Sequence, residues 1–252
     1  MTEIKIVEYQ DIDLSDAMLV VAFPTVGLIS SIAGHFIIDQ LKLESVGAII
    51  SDQFMPAAVI HNSTPQPPVR IYAGKQKCGP NQMCTKLAII ISEFMPPLES
   101  IKPLVDKILD WAQQKNCNFI VSLEGMHMAN PKQPKTFGVA STDEMKQVLL
   151  KNQIEEIKEG MITGDSGVFL YQGALLNRNV ICLLAEAHAS FPDSRAAGLL
   201  LEKLDIMLPD IKIDPEPLYK QADEIEKKIR AFMQQSKPTA PTLPPIPHSM
   251  YG

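Results

Sequence analysis

The sequence predicts an α/β fold: a three-layer α/β/α sandwich built on a mainly parallel sheet. Three observations carry that reading. Continuous apolar runs such as Met18–Phe23 and Val180–Ala185 recur along the chain, as expected of strands covered on both faces. Stretches with helical spacing lie between these runs, and strands alternating with helices build a parallel sheet. The chain has 252 residues, 46% of them hydrophobic and 21% charged. That is material for one large core with appendages rather than two domains.

In chain order, Ile4–Tyr9 alternates and predicts a short first strand. Met18–Phe23 is a buried strand, and Pro24-Thr25-Val26-Gly27 a tight turn. Val26, Ile29, Ala33, Phe36, Ile37 and Leu41 then fall at helical spacing. Further buried strands are expected at Val46–Ser51, Val69–Ala73, Leu87–Ser92, Phe119–Leu123 and Val180–Ala185. Helices are expected at Glu99–Lys115, at Thr142–Asn152 with Thr142 as N-cap, at Gly167–Leu176, and at Asp193–Leu208 with Asp193 as cap. Asn62–Pro68, Lys75–Gln82 and Asn130–Lys135 read as loops, rich in turn-forming residues.

The last part of the chain differs in character. We expect a body over 1–213, an amphipathic helix over 214–235 and a Pro-rich flexible tail over 236–252. In the helix, Leu218, Ala222, Ile225, Ile229 and Phe232 step by 4, 3, 4 and 3. Such a seam packs on its own body or on another helix. Five of the 17 tail residues are proline, which fixes φ and removes the N–H donor. An extended tail of this length reaches up to roughly 50 Å. It ends in Met250, Tyr251 and Gly252. The two side chains suit an apolar slot, and the terminal carboxylate suits a lysine.

Composition excludes several classes. Net charge is -6 and no dense Lys/Arg run occurs, so neither nucleic acid nor an anionic membrane surface is expected as a partner. No apolar run is long enough to span a bilayer, and the N-terminus has no signal pattern. Cys78, Cys84, Cys117 and Cys182 lack zinc-site spacing and read as reduced thiols of a cytoplasmic protein, with a Cys78–Cys84 loop disulfide as the alternative. No Walker-type or dinucleotide glycine motif is present, and no cofactor or metal is expected.

Ligands of open α/β sheets bind at the carboxyl ends of the strands. There the sequence places Glu93, Glu124, His127, Glu186 and His188. Carboxylates beside imidazoles serve as general acids, bases or metal ligands, yet no pair here has a diagnostic spacing. Gly164-Asp165-Ser166-Gly167 matches the tetrapeptide around a chymotrypsin-like nucleophile. That chemistry needs a double β-barrel and a histidine base, so a turn with Asp165 or Ser166 capping the next helix is the expectation. Met126, His127 and Met128 resemble a soft-metal cluster but lack a fourth ligand, which favours packing.

Several short motifs together resemble the proteasome assembly chaperone family, in particular its archaeal single-chain members. They are Phe23-Pro24-Thr25-Val26-Gly27-Leu28, Gly34-His35-Phe36, Phe54-Met55-Pro56-Ala57 and Pro67-Pro68-Val69-Arg70. Ser92-Glu93-Phe94, Glu124-Gly125-Met126, the Gly164–Gly173 stretch and Pro192-Asp193-Ser194-Arg195-Ala196-Ala197 continue the series. The likeness spans roughly residues 15–208 and rests on the order of the motifs. Thr25 departs from the glycine of many relatives, which argues against a backbone-cradled phosphate at this turn. The resemblance implies a fold like the purine nucleoside phosphorylases without their catalytic set, and a homo-oligomer. It also implies a hydrophobic-Tyr-any tail, here Met250, Tyr251 and Gly252, that docks between α-subunits of the proteasome core particle. Two alternatives stay open: an enzyme using Glu93, Glu124, His127 and Glu186 on a small molecule, and an oligomeric scaffold whose tail recruits another member of the family.

Overall fold

The computed structural model describes residues 3–61, 63–74, 86–127, 134–208 and 212–222. In chain order the elements are β1 (Ile4–Glu8), β2 (Met18–Ala22), α1 (Ile29–Leu41), β3 (Glu44–Ser51), β4 (Val59–His61), β5 (Thr64–Gln66), β6 (Val69–Gly74) and β7 (Leu87–Ser92). They continue as α2 (Leu98–Gln114), β8 (Phe119–His127), β9 (Thr136–Ala140), α3 (Asp143–Lys151), β10 (Glu155–Glu156), α4 (Gly164–Leu176), β11 (Val180–Ala187) and α5 (Ser194–Met207). Nine strands form one sheet in the order β1-β3-β6-β7-β2-β8-β11-β9-β10, and β4 with β5 forms a separate hairpin.

The apolar runs sit at the centre of that sheet. Every residue of β2, β7 and β11 is buried. Strands β7, β2, β8 and β11 are mutually parallel. The expectation of a mainly parallel sheet holds only there. Strands β6, β3 and β1 continue one side as antiparallel pairs, and β9 runs antiparallel to β11 on the other. Their connections are not simple hairpins: the β4–β5 hairpin lies between β3 and β6, β2 and α1 lie between β1 and β3, and α3, β10 and α4 lie between β9 and β11.

Side-chain alternation divides the core into two layers. Met18, Val20, Ala22, Ile89 and Ile91 face one way and pack with α1, α3 and α5. Leu19, Val21, Phe23, Ala88 and Ile90 face the other way and pack with α2 and Phe169 of α4. Trp111 of α2 donates its indole N–H to Glu8 of β1 at 2.6 Å, anchoring an outer strand to the helix layer.

Local caps follow the sequence. The Thr142 hydroxyl accepts from the Met145 N–H at 3.3 Å, and Asp193 Oδ1 accepts from the Ala196 N–H at 3.0 Å. Asp193 Oδ2 also accepts from the His188 N–H at 3.1 Å, tying the end of β11 to the start of α5. The Pro24–Gly27 turn leads into a single 3-10 turn, Val26–Leu28. Gly27 has φ +65 and lies against the His188 carbonyl, a position that suits glycine sterically. Gly27 O accepts from the Asp193 N–H at 2.8 Å.

Four expectations need correction. Residues 62–68 are not simply a loop, because β5 lies among them. Strands β4, β9 and β10 form where the sequence predicts none; β4 has three residues, β9 is short and glycine-containing, and β10 is Glu-Glu. Helix α4 begins at Gly164, not Gly167, so Asp165 and Ser166 lie inside its first turn rather than capping it. Strand β8 runs to His127, beyond Leu123. Residues 216–222 are helical, with Leu218 and Ala222 buried, so the first two seam positions lie on the chain's own body. The rest of the expected 214–235 helix, the 236–252 tail, Lys75–Gln82 and most of the 130–135 loop lie outside the described residues. Among the described residues no helix is long and apolar enough to cross a membrane.

Candidate functional site

The sheet sorts the strand-end residues into separate groups. Glu93 follows β7 and turns to α1, where its Oε1 lies 3.2 Å from His35 Nε2. The Arg70 guanidinium donates to the same oxygen. Arg70 is only 3% exposed, and its Nε donates to the Tyr72 hydroxyl at 3.0 Å while its Nη1 donates to the Pro67 carbonyl at 3.3 Å. Each of the three guanidinium nitrogens thus has a partner within the protein. Hydrogen bonds from His35 and Arg70 hold the Glu93 carboxyl down to about 2, against the opposing effect of burial. A cavity of about 640 Å³ adjoins this group, lined by His35, His61, Arg70, Tyr72 and Glu93 among others.

Glu124 lies on the opposite face, toward α4. Its Oε1 accepts from the Gly125 N–H at 3.1 Å, and Ser166 hydrogen-bonds to its side chain. The Ser122 and Ser166 hydroxyls are 2.6 Å apart and fully buried. Burial pushes the Glu124 carboxyl up to about 7; the Ser166 hydrogen bond opposes the rise and the neighbouring Asp165 charge adds to it. Burial likewise pushes Asp165 up to about 6, against its own and the Ser166 backbone N–H. Asp165 is 2% exposed, and its Oδ1 has no hydrogen-bond partner among the described residues. Buried Cys182 beside this pair has its thiol raised well above the ordinary range by burial.

Glu186 and His127 complete the sequence-derived set. Glu186 Oε2 accepts from the Lys135 N–H at 2.8 Å, and its own N–H donates to the Lys135 carbonyl at 3.0 Å. It fastens the chain entering β9. His127 ends β8, is exposed, and lines a cavity of about 790 Å³ with Glu124. Thus Glu124 and His127 share a cavity, whereas Glu93 is on the other side of the sheet with His35 and Arg70. His188 stacks on Phe191 at 4.7 Å between ring centroids.

The protease-like tetrapeptide is the first turn of α4, and its Ser166 faces Ser122 in the core. Among the described residues no cluster of three or more His, Cys, Asp or Glu is placed to hold a metal ion; Met128, Cys78 and Cys84 lie outside them. The tail residues Met250, Tyr251 and Gly252 also lie outside. Sequence reasoning missed Arg70 and Asp165 as site groups. The available signal was a lone Arg inside an apolar strand run, and an Asp in a stretch read only as a turn. In the turn after β2, the Thr25 hydroxyl sits 3.2 Å from that of Ser30.

A nine-stranded α/β/α sheet with a separate hairpin, and with polar groups divided between its two faces, defines the class of protein. Residues 19–233 match the sequence model of the PAC2 family, and the chain belongs to that family. An uncharacterised Methanocaldococcus jannaschii protein, MJ0106, is 33% identical over 231 residues, covering 92% of this chain and 91% of that one. Pyrococcus furiosus PbaA, described as an archaeal homolog of proteasome-assembly chaperone, matches with a TM-score of 0.81 and 27% identity over 92% of each chain. Pyrococcus furiosus PbaB, described as an archaeal proteasome activator, shares the fold with a TM-score of 0.80 and 23% identity, over 92% of this chain and all of its own. The resemblance to the proteasome assembly chaperones is borne out by these matches.

Proposed function

We propose that this PAC2-family protein is a non-enzymatic proteasome assembly chaperone or core-particle-binding protein. The observation that carries this reading is the match to PbaA across nearly all of both chains. In this reading the 1–213 body is a homo-oligomeric, cytoplasmic presenter, and the 214–235 helix leads into the 236–252 tail. Met250, Tyr251 and Gly252 dock between proteasome α-subunits. The tail composition supports it: an extended Pro-rich spacer keeps a short anchor away from the body. A three-residue anchor binds weakly on its own, in the micromolar to millimolar range, and several copies on an oligomer strengthen it by avidity.

The test compares the full chain, a chain lacking Met250–Gly252, and Tyr251→Ala for binding to proteasome α-subunits and to the assembled core particle. Loss of binding in both variants is the expected result. Retained binding in both would move the interface to the body. No binding by the intact chain, together with tail-dependent capture of another PAC2-family protein, would replace the proteasome with a sister protein as partner.

A further inference from the structure

We infer that the cavity between β8, β9, β11 and α4 is a binding site for a small molecule with an apolar body and a protonated amine, and that Glu124 receives the amine. This does not rest on the proteasome reading. The cavity holds about 790 Å³, within the range of sites that enclose drug-sized molecules. Its wall includes Val139, Ile162, Leu170 and Leu184, with Tyr171 beside them. Glu124 brings a carboxyl into that lining whose protein partners are the Gly125 N–H and Ser166, and no ammonium or guanidinium pairs with it among the described residues.

Charge complementarity decides the class of ligand. Behind Glu124 lies a second carboxyl, Asp165, buried at the start of α4 with one oxygen unpartnered. Its charge acts on Glu124. Two neighbouring carboxyls, one buried and one half-buried, disfavour double ionisation, and an added cation relieves the conflict. An anionic ligand would meet the same pair as repulsion. The basic groups lining the cavity are Lys158 and His127, with Glu159 next to Lys158. The Arg70 pocket on the other face gives a useful contrast. There the carboxylate already has its cation, and no equivalent vacancy of charge exists.

The experiment titrates the full chain with phenethylamine, phenethyl alcohol and hydrocinnamate, which share an aromatic body and differ in the head group. Binding is read by ligand-observed NMR and calorimetry. The amine is expected to bind about tenfold or more tightly than the alcohol, and the acid most weakly. Glu124→Gln is expected to weaken the amine about tenfold while leaving the alcohol unchanged. Ala174→Trp fills the cavity from an exposed wall position, and is expected to weaken both. Amine binding is also expected to strengthen between about pH 6 and about pH 8, as Glu124 ionises while the amine stays protonated. Asp165 ionises at the lower end of that window, and His127 and Lys158 face the same cavity, so the pH series is run on Glu124→Gln as well, where the rise should disappear. Equal binding of amine and alcohol overturns the inference. So does an unchanged amine affinity in Glu124→Gln or Ala174→Trp, or absence of amine binding at about 5 mM by a chain whose melt is native.

Discussion

Replacing Glu124 by Gln should stabilise the protein, and only above acidic pH. The carboxyl has an ordinary value of 4.5 and is raised to about 7 in the fold. A group raised in this way favours folding while it is protonated. Its contribution is fully present below the unfolded value of 4.5 and is lost as pH rises through about 7. Each pH unit of displacement corresponds to about 1.4 kcal/mol, so the ionised carboxylate costs at most on the order of 3 kcal/mol. Relaxation and solvent around a partly exposed group reduce this to about 1–2 kcal/mol. Glutamine keeps an oxygen that can accept from Gly125 and Ser166 but carries no charge. For a chain of this size, Tm should therefore rise by about 2–8 °C at about pH 8. The assay is calorimetric melting of the wild type and Glu124→Gln across about pH 4 to about pH 9. The two curves should meet at the acid end, separate between 4.5 and about 7, and run parallel above. Asp165→Asn should act in the same direction, and the double variant should gain less than the two effects combined, because Asp165 is part of what raises Glu124. A Glu124→Gln protein that melts lower at about pH 8, or a difference that does not change with pH, would refute the reasoning.

Three further substitutions test the packing and hydrogen bonds around the sheet. Arg70→Met leaves the part-exposed Glu93 with His35 alone and should cost about 1–3 kcal/mol in denaturant unfolding at neutral pH; because Glu93 is depressed to about 2, the wild-type contribution is present above 4.5 and lost as pH falls toward 2, so the gap between the two proteins should narrow in acid. Gly125→Ala would push a methyl into the Val26 carbonyl and should lower the denaturation midpoint by the equivalent of about 1–3 kcal/mol. Asp193→Ala removes the acceptor for both the Ala196 and His188 N–H groups and should cost about 1–2 kcal/mol, whereas Asp193→Asn should recover most of it in the same unfolding assay.

What was legible in the chain follows from where its information is local. A strand buried on both faces must be apolar at every position, so β2, β7 and β11 announce themselves; an N-cap must present an oxygen to nearby N–H groups, so Thr142 and Asp193 do too. Strands β9 and β10 obey neither rule. Thr136–Ala140 acquires its strand by lying antiparallel to β11, with Glu186 holding Lys135 at its entrance, and nothing in five residues encodes that partner. The candidate site fails to be legible for the same reason. Spacing placed Glu93 just past a strand end correctly; it put Glu124 at one too, although β8 continues to His127, and which face each side chain takes depends on strand register and on the helix packed against it. Glu93 meets His35 on α1, and Glu124 meets Ser166 on α4. Asp165 shows the limit most clearly. Its tetrapeptide carries a helix cap, a turn and a protease nucleophile as local readings, and the decisive fact is nonlocal: Ser166, one residue on, meets Ser122 of β8 across the core. That contact draws the first turn of α4 inward and buries a carboxyl that any local reading would leave in water. The cost of burying it is what makes the Glu124 wall of the cavity receptive to a cation.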